Sequence, residues 1–208
     1  MNDTLKYFAD RYKFDPAARG PITLIQQSRV EMAECFKALG FQVGAEVGVA
    51  QGHHSLILCQ TIPGLTLHAI DPWTPYFGYH EYDDRITRYY LEARERLDGY
   101  HVLYHPTFSM DAVRDFQDGS LDFVYLDGAH DFKNICDDLC EWTQKVRIGG
   151  VVYGHDYKHK HGEYTVEVRH AVQAYTYVKN IKPWFVLDIP SRQGGESWAF
   201  IRQEGQYT

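Results

Sequence analysis

Four residues carry most of the chemical potential of this chain: Asp127 and His130, and His155 and Asp156. Each pair lies at or just beyond the end of an apolar run. Phe123 to Leu126 is nearly continuous, as a parallel strand buried on both faces requires, and Val151-Val152-Tyr153-Gly154 is a second run of the same kind. As neighbouring strands they would carry two carboxylates, joined by imidazoles, to one rim of a sheet. That is the composition of an open divalent-cation site, with Asp127, Asp156 and His155 as the expected ligands. Oxygen donors suit magnesium, and an imidazole in the set shifts preference towards manganese, iron or zinc.

A second constellation lies upstream, in Val-Gly-Ala-Glu-Val-Gly-Val-Ala-Gln-Gly-His-His-Ser from Val43 to Ser55. Val43, Ala45, Val47 and Val49 alternate as a strand, and Ser55 to Cys59 opens an apolar helix. Gly48 and Gly52 remove side chains where a strand-to-helix turn lets a ligand reach backbone amides. The order Glu46-x-Gly48-x-x-x-Gly52 is not the GxGxxG of a pyrophosphate site, and Glu46 would repel a phosphate. It suits a ligand with an ammonium or sulfonium charge. The next strand, Leu65 to Ile70, ends in Asp71-Pro72-Trp73. An acid about 20 positions past a glycine turn is placed to accept from two ribose hydroxyls, and Trp73 is placed to pack on a nucleobase.

The first stretch resembles motif I of the class I S-adenosylmethionine-dependent methyltransferases. Leu126-Asp127-Gly128-x-His130 and Gly-Gly-Val-Val-Tyr-Gly-His-Asp-Tyr ending at Tyr157 resemble the metal-associated members, catechol O-methyltransferase and, more closely, the macrocin and novobiocin type of sugar O-methyltransferases. The resemblance runs from about Val43 to Tyr157. It implies S-adenosylmethionine held by Glu46, Gly48, Gly52, Ser55, Asp71, Trp73 and Asp127, with Ser109 and Met110 beside the adenine. Ser109 by itself reads as a helix N-cap with Asp111 in the first turn. Three departures stand out. His155-Asp156 replaces two adjacent carboxylates, Tyr157 stands where catechol-type enzymes have Asn, and Ala129 occupies the place of the sugar enzymes' catalytic Asp. With Asp127 as a catalytic centre, the general base then falls to His130, whose unperturbed pKa is near neutrality.

The elements that must position these groups follow from the remaining pattern. Length suits one α/β domain over residues 1–208. The resemblance implies a Rossmann-like, seven-stranded, mostly parallel sheet with helices on both faces and an antiparallel C-terminal hairpin, Trp184 to Ile189 and Ser197 to Ile201. Residues 41–208 form this core. Residues 1–40 are expected as a helical lid or as packing against the sheet, with one helical stripe from Ile22 to Leu39 through Ile25, Met32 and Phe36, closed by Gly40. Pro75 to Tyr82 reads as a loop at the substrate entrance, and Lys158 to Glu163 as a charged loop whose His159 and His161 are further ligand candidates.

A formal charge of -7 makes nucleic acid an improbable partner. Four cysteines without CxxC spacing read as reduced cytosolic thiols. No apolar run reaches membrane-spanning length and none opens the chain as a signal peptide, so a cytoplasmic location is expected. The expected activity is methylation of a small-molecule hydroxyl, with a sugar suggested by the resemblance alone. The rivals are a metal-independent N- or macromolecule methyltransferase and a non-catalytic cofactor-binding module.

Overall fold

In the computed structural model, residues 2–75, 85–157, 160–161, 164–188 and 196–205 are described. In chain order the elements are α1 (Asp3–Tyr12), β1 (Ile22–Ile25), α2 (Arg29–Ala38), β2 (Val43–Val47), α3 (His53–Thr61), β3 (Thr66–Ile70), α4 (Ile86–Arg96), β4 (Val102–His105) and α5 (Ser109–Ala112). They continue with β5 (Leu121–Leu126), α6 (Phe132–Lys145), β6 (Val146–Gly154), β7 (Lys160–His161), β8 (Tyr164–Thr165), α7 (Val168–Val178), β9 (Trp184–Asp188) and β10 (Ser197–Ile201). The main sheet has the order β1-β9-β10-β6-β5-β2-β3-β4, and β7 pairs only with β8. Within the main sheet β10 alone runs antiparallel to its neighbours, β6 and β9.

The expected Rossmann-like architecture is present, with one correction: the main sheet has eight strands, not seven. The extra strand is β1, which pairs in parallel with β9 from Ile22↔Phe185 to Ile25↔Asp188. Ile22 to Leu39 is therefore not one helix. The β-branched Ile22-Thr23 and Ile25 fit a pleated edge, and Ser28 and Glu31 form a capping box that starts α2 afresh. Glu31 Oε2 accepts from Ser28 N at 2.8 Å, and Ser28 Oγ accepts from Val30 N at 3.1 Å.

Alternation along the strands sends side chains to two cores on opposite faces. In β5, Val124 and Leu126 join Leu139, Trp142 and Ala171 of α6 and α7, whereas Phe123 and Tyr125 join Phe8, Met32, Phe36 and Leu58 of α1 to α3. The second face is strongly aromatic. Phe36 stacks on Phe123 at a 4.7 Å centroid distance, and Phe8 meets Phe185 at 5.7 Å. Helices α1 and α2 thus pack on this face of the sheet, with Phe8, Met32 and Phe36 fully buried. The start of α2 delivers Arg29 to Asp127, just past the end of β5.

At the opposite edge, β5 begins on a carboxylate with full employment. Asp122 Oδ2 accepts from Gln42 N at 2.7 Å and Val43 N at 2.9 Å, while Arg147 Nε donates to Oδ1 at 2.6 Å. This ties β2, β5 and β6 together at their starts. The expected loops over Pro75–Tyr82 and Pro190–Gly195 lie outside the described residues but for Pro75, as do side chains of the Lys158–Glu163 stretch; its Lys160–His161 backbone is strand, not loop.

Candidate functional site

The strand order reverses at β2, whose neighbours are β5 on one side and β3 on the other. A crevice outside the carboxyl ends of strands is the expected ligand position at such a switch point. A cleft of about 240 Å³ lies there, and Gly48, Asp71, Ser109 and Met110 of the anticipated residues line it. Pro72, Phe108, Gly128, Ala129 and Asp138 complete the wall that matters here. Phe108 is 45% exposed and offers a flat apolar ring at the mouth.

Gly48 explains how the cleft stays open. Its φ is +86°, and a Cβ there would fall 2.0 Å from the backbone oxygen of Asp127. A side chain would therefore push β2 and β5 apart at the point where the two constellations meet. Asp71 is 1% exposed, and its carboxylate organises the loops around it: Oδ2 accepts from Ala50 N at 2.9 Å and Oδ1 from Trp73 N at 2.8 Å. Ala50 and Trp73 both have positive φ, 47° and 43°, a conformation that non-glycine residues adopt at a cost and that is often found at functional turns.

Five anticipated cofactor residues do not line the cleft: Asp127, which stands on the adjoining rim, and Trp73, Gly52, Glu46 and Ser55. Trp73 is buried against Val49, Ala69 and Ile86, tilted on Tyr90 at 4.8 Å, and its Nε1 donates to Ala50 O at 2.8 Å. Its backbone is left-handed and the indole is turned inward, away from the cleft that Phe108 and Pro72 line. Gly52 faces α4, where a Cβ would meet Leu97 at 3.2 Å. Glu46 and Ser55 face each other beneath the turn, with Ser55 Oγ donating to Glu46 Oε2 at 2.6 Å. Burial pushes the Glu46 carboxyl up to about 8, against the pull of Ser55, so it is not a ready-made anion. Ser109 is the first residue of α5 and not its cap, which is Phe108. Its hydroxyl donates instead to Asp138 Oδ1 and accepts from Trp142 Nε1 at 2.7 Å.

On the adjoining rim, Asp127 and Asp156 come together with His130, and their donor atoms lie within 4.8 Å of one another. His130 Nε2 is 3.1 Å from Asp156 Oδ2 and 3.7 Å from Asp127 Oδ1, buried and without an aligned hydrogen bond to either. An imidazole nitrogen left between two carboxylates fits a divalent cation with two oxygen donors and one nitrogen. The third candidate donor is thus His130, in place of the expected His155. His155 is absent from the cluster and lies behind it, with Nδ1 3.2 Å from Asp156 Oδ1. The reason is the backbone: Asp156 has φ +54°, which swings its carboxylate between the two imidazoles. His130, the expected general base, stands in this cluster as a candidate third donor. Burial alone would lower its pKa, but the two carboxylates raise it to about 10. Burial would raise that of Asp156, and the imidazoles overcome this and lower it.

Two further groups at the rim had no sequence signal strong enough to mark them. Tyr125 OH donates to Asp127 Oδ2 at 3.0 Å and accepts from Arg29 Nη1 at 2.8 Å, and Arg29 also lies 3.4 Å from Asp127 Oδ2. Both come from positions that read as ordinary packing, a buried strand residue and a helix start. Asp138 did leave a signal. It falls among Ile135, Leu139 and Trp142 on the apolar face of α6, where an acid has no place unless something binds it.

A family profile described as a methyltransferase domain matches residues 45–157, more than half the chain. No curated protein sequence matches significantly. Among solved structures, an O-methyltransferase from Bacillus cereus in complex with SAH superposes with a TM-score of 0.61 and 11% identity, covering 97% of this chain and 92% of that one. The O-methyltransferase TomG from Streptomyces achromogenes, in complex with SAM, gives 0.61 and 16% identity over 97% and 91%. An rRNA methylase from Streptococcus thermophilus also gives 0.61, with 9% identity over 87% and 100%. Likenesses this distant in sequence establish the fold, and the profile establishes the lineage: the chain belongs to the methyltransferase-domain family, on the Rossmann-like fold of the class I enzymes.

Proposed function

We propose that this protein transfers the methyl group of S-adenosylmethionine to a hydroxyl of a small molecule, with a divalent cation held by Asp127, His130 and Asp156. One observation carries the reading: the switch-point cleft with Asp71 on its wall adjoins a three-donor cluster on the tips of the next two strands. SAM- and SAH-bound O-methyltransferases among the structural neighbours support the choice of donor and of hydroxyl chemistry. The sugar leaning rests on the sequence resemblance.

When bound, the donor supplies a methyl on a positive sulfur, and the cation supplies a Lewis acid that lowers the pKa of the acceptor hydroxyl. The protein's own work is alignment. Asp71, fixed by the Ala50 and Trp73 amides, is the acid that would accept from ribose hydroxyls. The bare Gly48 lets the ligand lie against the β2 turn, and Phe108 and Pro72 cover the purine faces. Tyr125 and Arg29 hold Oδ2 of Asp127 and thereby orient Oδ1 towards His130. In the cation-free protein His130 holds a proton between the carboxylates, which it must release for Nε2 to act as a ligand.

Calorimetric titration with S-adenosylhomocysteine tests the cofactor reading: micromolar-range binding is expected, and none by folded protein would overturn it. Titration with Mn²⁺ tests the cation separately. Binding that survives Asp156→Ala and His130→Ala unchanged would remove the cluster from the mechanism.

A further inference from the structure

The cleft contains one acid that the mechanism above does not use. Asp138 is 4% exposed, yet it lines the cleft beside Gly128, whose Cα lies on the same wall; a Cβ built there would come 3.7 Å from Asp138 Oδ2. Its two oxygens are not equivalent. Trp142 Nε1 donates to Ser109 Oγ, which commits the single hydroxyl hydrogen of Ser109 to Asp138 Oδ1. No hydrogen bond from the described residues reaches Oδ2. The relay therefore fixes Oδ1 as an acceptor from the protein and turns Oδ2 towards the cleft.

The neighbours of Oδ2 narrow what it can read. The side chains of Met110 and Ala129 offer no strong donor or acceptor, and the Asn134 amide is turned to Asp131 Oδ2 at 2.6 Å. Asp71 and Asp138 both line this one cleft, which suits a ligand with hydroxyls for one acid and a hydrogen-bond donor for the other. Building on the proposed nucleoside ligand, we infer that Asp138 Oδ2 accepts a hydrogen bond from the exocyclic amine of the purine and makes this site selective for a 6-amino base. Burial, with Asp137 and Asp131 adding to it, pushes this carboxyl up to about 7 against the pull of Ser109. A ligand N–H is thus the partner that favours its charged form, and a 6-oxo purine presents the wrong polarity to it.

The test compares S-adenosylhomocysteine with its 6-oxo analogue, S-inosylhomocysteine, by calorimetry on the wild-type protein and on Asp138→Asn. Wild type should favour the amino form by roughly tenfold to a hundredfold. In the variant, Ser109 still demands an oxygen acceptor, so the new amide must point its NH₂ into the cleft, and the preference should vanish or reverse towards the 6-oxo ligand. Equal weakening of both ligands, or an unchanged preference, would make Asp138 a structural partner of Ser109 and overturn the inference. Should the variant fail to fold, the N6,N6-dimethyl analogue on wild type decides: a loss comparable to that of the 6-oxo form supports the contact, and indifference to both overturns it. Wild type that binds none of the three would fail on the cofactor reading itself, and this inference would fall with it.

Discussion

The two ends of β5 carry the same side chain in opposite circumstances. Asp122, at the start, accepts from two backbone amides and from Arg147, so its charge is balanced by the fold. Asp127, just past the end, shares Oδ2 with Tyr125 and Arg29, while Oδ1 faces an imidazole nitrogen at 3.7 Å that has no aligned partner. One end of the strand uses a carboxylate to build the sheet; the other sets a carboxylate beside the imidazole of a candidate cation cluster. A carboxylate held by amides and a guanidinium serves the fold, and one set among candidate donors is the place to look for chemistry.

Substitution at each end should therefore fail in a different measurement. Asp127→Ala is expected to cost roughly a thousandfold in methyl transfer to an identified acceptor, with a denaturation midpoint close to that of wild type. Asp122→Ala should do the reverse. Stranding two amides and a guanidinium is expected to lower the unfolding free energy by roughly 2–4 kcal/mol in urea melts, while turnover per folded molecule persists. If both substitutions unfold the protein, or both spare activity, the contrast between the ends disappears.

Glu46 sharpens the comparison from within the buried layer. Its carboxyl titrates at 4.5 when exposed and at about 8 in the fold, so the native state holds the proton through that window. Stability should be full below pH 4.5 from this source and should decline as pH rises through about 8, by at most about 1.4 kcal/mol per unit. Asp138 adds the same sign of slope up to about 7. Glu46→Gln should flatten the decline, leaving the Asp138 part, and urea midpoints from pH 5 to 8 would read it. A slope identical to wild type would mean that Glu46 is ionised where it lies.

The smallest effect is expected at Tyr125. Tyr125→Phe keeps the ring and removes the hydroxyl that holds Asp127 Oδ2, so Mn²⁺ affinity should fall by roughly tenfold in a calorimetric titration. Unchanged affinity would mean that Arg29 alone suffices to orient the carboxylate.

Much of this site was legible because its parts are tied to chain order. Strand-ending acids such as Asp71, Asp127 and Asp156 must emerge at one sheet edge once the strands are parallel, whatever the details of packing. What the sequence hid was direction. Whether His130 or His155 shares the cluster depends on the left-handed backbone at Asp156, and Trp73 leaves the cleft for the same kind of reason. Side-chain exchange between distant elements was equally hidden: nothing local joins Ser109 to Asp138, or Arg29 to Asp127. At Ile22 to Leu39 the apolar spacing imitated one helix, and the break at Ser28 was written in a polar pair, not in the stripe.

The parallel pairing of β1 with β9 has a practical corollary. Trimming the chain to Arg29 would bare the flank of β9, a row of unsatisfied amides and carbonyls that invites another copy to dock alongside. Such a truncate would retain the candidate rim residues and still be expected to precipitate, so the opening residues serve as a selvedge that keeps the woven sheet from fraying into its neighbours.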